Sequence, residues 1–137
     1  MNKKIIFLDI DGVLNRATTE EKCGPYTGCD LALASMLMEW KPLDVSIVLS
    51  STWRNHPEMH EHLHSAGITW IDVTPKFNKD RGYEIKDWLD RHPHVEKYVI
   101  LDDSTDMLFE QLPFFVNTDH DTGLTVQDLA KASAILN

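Results

Sequence analysis

Five short runs of apolar and β-branched residues recur along the chain, at Lys4 to Leu8, Val45 to Leu49, Thr69 to Val73, Tyr98 to Leu101 and Phe114 to Asn117. Each is strand-sized and nearly continuous, the pattern of a strand covered on both faces. Between them lie segments with helical spacing. These are Leu31 to Trp40 after a cap at Asp30, Pro57 to Ala66 closed by Gly67, Tyr83 to Arg91 before Pro93, and Ser104 to Leu112 before Pro113. A last helix opens at Thr125, where Thr125 and Asp128 have the spacing of a capping box and Leu124 and Leu129 that of a hydrophobic staple. Strands alternating with helices predict an α/β fold, a three-layer Rossmann-like parallel sheet of about five strands with helices on both faces. A length of 137 residues suits a single domain, 1–137, with the polar stretch 16–30 as a loop or small flap.

The first strand runs into "FLDIDGVLN", which sets Asp9 and Asp11 two residues apart at the end of an apolar run. Strand side chains alternate faces, so the two carboxylates lean the same way, toward the carboxyl edge of the sheet where open α/β folds bind ligands. Two anions that close repel unless a cation joins them, and an oxygen-rich site of this kind suits Mg²⁺. Gly12 lets the chain turn sharply and bring its backbone near a ligand.

Other strand ends carry matching chemistry. "SIVLSSTWR" ends a strand with Ser50 and Ser51, hydroxyl donors for a phosphate oxygen, and "YVILDDSTD" ends another with Asp102 and Asp103, further metal-type oxygens. "NKDRGYEIKDWL" offers Lys79, Arg81 and Lys86 around a helix start, with Arg81 best placed to reach the strand-end crevice and offset charge on a phosphoryl group. Taken singly, these are also a turn, a helix-capping pair and a surface cation. Their arrival in order at strand ends is what carries the argument.

This ordered set resembles the haloacid dehalogenase-like (HAD) phosphohydrolase superfamily, in Asp9-x-Asp11-Gly12, in Ser50 or Ser51, in Arg81 with Lys79 and Lys86 as alternatives, and in the pair Asp102-Asp103. "SSTWR", "RGYEIKDWL", "LDDS" and "GLT" are similar, more narrowly, to the small HAD domains of Swiss Army Knife RNA-repair proteins. The resemblance implies a Mg²⁺-dependent phosphatase with catalytic residues Asp9, Asp11, Ser50 and Arg81. Asp9 is then the nucleophile and Asp11 the acid and base. The implied metal ligands are Asp9, Asp11 (through its backbone carbonyl), Asp103 and Asp102, and the candidate substrate contacts are Gly12, Ser51, Thr52 and Arg54. The stretches between motifs leave no room for a large cap, so the expected site is open and suits a bulky substrate, such as an oligonucleotide end or a phosphoprotein, better than a tiny one. The expected partner is a phosphorylated small molecule or a nucleic-acid end, with nucleotide or nucleic-acid ends the leading class. Tyr26, Trp53 and Arg54 are candidates to stack on or pair with it, Trp53 equally a packing aromatic. The rival readings are a receiver-like phosphoacceptor, against which the order of serines and acids speaks, and an idle binding module of a repair complex.

A net charge of −9 argues against an extended nucleic-acid surface but leaves room for gripping one end. Cys23 and Cys29, without a CxxC pairing, fit a reducing cytoplasm better than a disulfide or zinc framework. The apolar stretch after Lys4 is cut short by Asp9, and no run approaches a membrane span, so an intracellular protein without a lipid anchor is expected. His56, His60 and His64 recur every fourth residue with His62 beside them; this is a candidate metal or pH-sensitive face, but the solvated side of an amphipathic helix is the favoured reading. Met36, Met38 and Trp88 read as core; His120 is on a loop that is a candidate to border the site, but reads as a plain loop residue.

Overall fold

The computed structural model describes residues 2–77 and 79–137. In chain order the elements are strand β1 (Lys4–Leu8), a hairpin of β2 (Lys22–Cys23) and β3 (Tyr26–Thr27), helix α1 (Leu31–Trp40) and strand β4 (Val45–Leu49). There follow a 3₁₀ turn (Thr52–Asn55), α2 (Pro57–Ser65), β5 (Asp72–Val73), α3 (Arg81–Asp90), β6 (Lys97–Asp102), a second 3₁₀ helix (Phe109–Phe114), β7 (Phe115–Asn117) and α4 (Val126–Leu136). The main sheet has the order β5-β4-β1-β6-β7 with every neighbouring pair parallel.

The continuity of the apolar runs follows from cover on both faces. Along β1 the side chains alternate: Ile6 and Leu8 enter a large core with Leu33, Ala34 and Leu37 of α1, Leu63 of α2 and Leu129, Ala132 and Leu136 of α4. Ile5 and Phe7 enter a smaller core on the other face with Ile85 and Trp88 of α3. There Trp88 meets the edge of Phe7 with ring centroids 5.5 Å apart, and its Nε1 donates to Asp72 Oδ2 at 2.8 Å, so the indole is buried without losing its hydrogen bond. Among the described residues no helix is long and apolar enough to cross a membrane.

Register decides what reaches the carboxyl edge. Leu8 of β1 lies level with Leu49 of β4 and Leu101 of β6, so the residues that follow them, Asp9, Ser50 and Asp102, come side by side at the carboxyl edge of the sheet. The Asp9 N–H still donates to Leu101 O at 3.0 Å and the Ser50 N–H to Leu8 O at 2.9 Å, which holds both at the rim.

Two expected elements differ. Ser104 to Leu112 is not an α-helix: residues 104–108 are irregular and a 3₁₀ helix spans Phe109–Phe114, passing through Pro113. Side chains take the backbone out of helical bonding there. Ser104 N–H donates to Asp102 Oδ1 at 2.9 Å, Ser104 Oγ bonds Asp106 Oδ1 at 2.5 Å, and Gln111 accepts from Leu108 N–H while donating to Gly82 O at 2.8 Å. Gly82 is needed for this approach, because a Cβ there would press on the Leu108 backbone nitrogen. The expected strand Thr69 to Val73 shrinks to Asp72–Val73, as Trp70 turns aside to stack on His64 at 4.4 Å between ring centroids and to meet the His60 ring edge at 5.1 Å.

The connection after β1 is tied down by Asp30. Its Oδ1 accepts from the Ala32 N–H at 3.0 Å as the N-cap of α1, while its Oδ2 accepts from Arg16 Nε at 3.0 Å and Thr19 Oγ1 at 2.9 Å. Burial works to raise the Asp30 pKa, but the bonds from Thr19, Arg16 and the Leu33 N–H outweigh it and hold the carboxyl below its ordinary value. Asp30→Ala is expected to cost about 1–2 kcal/mol in a denaturant titration, the cap loss alone being about 1. A lowered folded pKa contributes stability above the unfolded value of about 4 and loses it as pH falls, so between about pH 5 and pH 3 the wild type should lose more stability than Asp30→Asn.

Candidate active site

Asp9, Asp102 and Asp103 each offer a carboxylate oxygen within 4.8 Å of the others, the one group of metal-ligating side chains found together among the described residues. Asp9 and Asp102 are buried, and Asp103 is partly open. Arg81, the first residue of α3, sends Nη1 to Asp102 Oδ2 at 2.6 Å and Asp9 Oδ1 at 3.1 Å. The α3 start is itself fixed, because the Arg81 N–H donates to Asp106 Oδ2 at 2.9 Å. The other candidate cations are engaged elsewhere: Lys79 lies over the Tyr83 ring at 5.5 Å, and Lys86 pairs with Asp90 on the helix surface at 2.8 Å.

Two carboxylates on one guanidinium, with the third acid of the cluster close by, leave an excess of negative charge in a largely desolvated place. Burial, and next the charge of Asp102, push the Asp9 pKa well above the usual carboxylate range against the pull of Arg81. Asp102 is likewise raised by its burial, which Arg81 only partly offsets. Burial also works to lower Arg81, but Asp9 and Asp102 outweigh it and hold the guanidinium firmly protonated. Hard oxygen donors with uncompensated charge fit a divalent cation such as Mg²⁺.

Gly12 has φ +79°, and a side chain there would land on the Asp103 carboxylate, so the glycine both permits the turn and makes room for the third acid. Thr118 Oγ1 donates to Gly12 O at 2.7 Å, and His120 Nδ1 lies 3.0 Å from Asp103 Oδ2. His120 thus touches an acid of the cluster, which its loop position did not reveal.

Asp11 stands apart from the cluster. Its exposed carboxylate accepts from Asn15 Nδ2 at 2.8 Å and from Trp53 Nε1 at 3.2 Å, so its side chain is not gathered with the expected ligands. At the end of β4, the Ser50 hydroxyl is buried with no hydrogen-bond partner among the described residues, whereas Ser51 Oγ accepts from the Trp53 N–H at 3.2 Å and caps the 3₁₀ turn. Thr52 is exposed.

Arg54, expected at the substrate, is instead buried. Its Nη1 donates to Ser51 O at 2.7 Å and its Nη2 to Glu84 Oε2 at 2.9 Å, while Glu84 also accepts from the Phe77 N–H at 2.7 Å. A guanidinium spent on an internal ion pair braces the loop below Ser50, and its Nε remains without a partner among the described residues. Trp53 is only 2% exposed and offers no face for stacking, whereas Tyr26 at the hairpin is 59% exposed. The histidines of α2 do not converge. His62 Nε2 accepts from the Cys29 N–H at 2.8 Å and pins the hairpin base, while His60 and His64 lie against Trp70.

Two hollows meet at Asp11. One of about 530 Å³ is walled by Tyr26, Thr27, Thr52, Trp53 and His56. The other, of about 300 Å³, is lined by Asn15, Arg16, Lys22, Thr27 and His120. Gly12→Ala is expected to displace Asp103 and to remove any Mg²⁺-dependent rise in thermal midpoint, beyond the cost of about 1 kcal/mol for a side chain at positive φ.

No curated protein and no solved structure matches the chain. A family profile does, described as the HAD domain in Swiss Army Knife RNA repair proteins, and it covers residues 5–129, from β1 into α4. HAD domains are in general phosphohydrolases that use Mg²⁺, which agrees with the aspartate cluster at the rim of the sheet. The chain, with its five-stranded parallel sheet and strand-end acids, belongs to the family of HAD domains found in Swiss Army Knife RNA repair proteins.

Proposed function

We propose that the protein is a Mg²⁺-dependent phosphomonoesterase working through an aspartyl-phosphate on Asp9, with phosphorylated nucleotide or nucleic-acid ends as substrates. The observation that carries this is the convergence of Asp9, Asp102 and Asp103 with Arg81, near the end of β4 where the buried Ser50 hydroxyl has no partner among the described residues. A buried hydroxyl without a partner costs free energy in the resting protein, and a phosphoryl oxygen would satisfy it. Asp9, Asp102, Asp103 and the backbone carbonyl of Asp11 would hold Mg²⁺. The ion supplies positive charge that keeps Asp9 ionised and eases its approach to a phosphate dianion.

In the first step the Asp9 carboxylate forms a bond to phosphorus as the ester oxygen leaves, and Asp11, as the general acid, gives that oxygen a proton. In the second, Asp11 as carboxylate takes a proton from water, which displaces phosphate and regenerates Asp9. Ser50 donates to a phosphoryl oxygen throughout, with Ser51 and Thr52 at the same loop and Gly12 at the opposite wall. Arg81 balances the charge that builds on the transferring group. The family's link to RNA repair and the open hollows beside Asp11 support nucleic-acid ends as the substrate class. We further propose one domain over 1–137, with 16–30 as its flap and the cytoplasm as its place of work.

The test is phosphate release with Mg²⁺ from an aryl phosphate, mononucleotides, and 3′- and 5′-phosphorylated oligonucleotides. Asp9→Asn is expected to lower turnover at least about 10³-fold, Ser50→Ala roughly 100-fold, and EDTA to abolish it. Silence on all substrates from a folded, Mg²⁺-binding protein would overturn the enzyme and leave a binding module.

Binding of Mg²⁺ is expected to raise stability by about 2.7 kcal/mol at a hundredfold excess over Kd. Because Asp9 and Asp102 have raised pKa values, the ion must displace protons, so its affinity should climb as pH rises above about 4. Titration calorimetry in buffers of different ionisation enthalpy would read the released protons directly.

A further inference from the structure

We infer that Asn15 and Trp53 form a clamp that aims the Asp11 carboxylate at the leaving group, making both of them positioning residues for the acid step. This rests on the roles given to Asp9 and Asp11 above and deepens them.

Asp11 is exposed, yet each of its oxygens is held: Oδ1 by Asn15 Nδ2 at 2.8 Å and Oδ2 by Trp53 Nε1 at 3.2 Å. The two donors are only 5% and 2% exposed. Each is anchored in turn. Asn15 Oδ1 accepts from the Gly12 N–H at 2.9 Å, and Trp53 is built into the 3₁₀ turn capped by Ser51. A solvent-facing aspartate would ordinarily sample several rotamers, but two immobile donors select one and keep the carboxylate out of the Asp9, Asp102 and Asp103 cluster.

The selected rotamer lies where the two hollows meet, so a leaving group in either one presents its ester oxygen to Asp11. Each carboxylate oxygen accepts one hydrogen bond and keeps a second lone pair for a proton. As the Asp9 oxygen bonds to phosphorus and the P–O ester bond breaks, that proton passes to the departing oxygen, and Asp11 is left as a carboxylate still held by both donors.

A purely structural account also exists. The indole N–H needs an acceptor, and Asn15 braces Gly12. Leaving-group dependence separates the two. Para-nitrophenolate departs without a proton, whereas the alkoxide of a nucleoside monophosphate needs one. The quantity to measure is kcat/KM, which covers loss of the alcohol and excludes the hydrolytic step that both esters share. Trp53→Phe deletes the N–H and keeps a ring; Asn15→Asp keeps the acceptor for Gly12 but turns the donor to Asp11 into a repelling carboxylate.

For whichever variant retains the wild-type Mg²⁺-dependent thermal rise, the alkyl-to-aryl ratio of kcat/KM should fall roughly 10- to 100-fold, the scale of a misplaced acid. Equal losses on both esters, or loss of that thermal rise in both variants, would overturn the clamp and leave a structural role. Absence of wild-type turnover on either ester would instead sink the phosphatase reading on which the clamp depends.

Discussion

Arg81 Nη1 sits between Asp9 Oδ1 at 3.1 Å and Asp102 Oδ2 at 2.6 Å, and much of the surrounding structure is arranged around that contact. Two buried carboxylates side by side repel strongly in a medium less polar than water, and breaking a buried pair costs far more than a surface one. The guanidinium is therefore itself secured. The Asp106 carboxylate fixes the N-terminus of α3, Ser104 fixes Asp106, and Gly82 lets the Phe109–Phe114 3₁₀ helix close against the same helix end. The loss of the helix expected at Ser104 to Leu112 belongs to this arrangement. Its first residues serve the ion pair and are not free to follow helical bonding.

One cation balances the cluster incompletely, and the third acid is brought in from the partly open side. Asp103 occupies the space left by the missing side chain of Gly12 and meets His120 from the loop after β7. The same strand-end crowding gathers hard oxygen donors of the kind that suit a divalent ion. On the opposite flank the buried Arg54–Glu84 pair holds the loop after Ser50, so that end of β4 is braced from within.

The connection from β1 to α1 completes the site. Asp30 ties Arg16 and Thr19 to the start of α1, and His62 ties Cys29 to α2, so the β2–β3 hairpin carries Tyr26 to the lip of a hollow that ends at Asp11. On both sides of Asp11 the rim of the sheet opens into a hollow.

The alternation of apolar runs with helical segments, the caps at Asp30 and Thr125, and the strand-end order of Asp9, Ser50, Arg81 and the Asp102-Asp103 pair were legible in the chain. These depend on local periodicity and capping, and on the register a parallel sheet imposes. The fate of Asp11, Trp53, Arg54, His62 and Asp106 was not legible, because each is decided by a partner far along the chain: Trp53 for Asp11, Glu84 for Arg54, Cys29 for His62 and Arg81 for Asp106. The choice of Arg81 over Lys79 and Lys86 is of the same kind, since neighbouring cations differ only in which way the helix start faces the sheet. Sequence by itself determined the layers and the chemistry at the strand ends, through side-chain period and backbone propensity. Tertiary structure alone decided which polar side chains face one another, because those contacts join residues that only the packed sheet and helices bring within hydrogen-bonding distance.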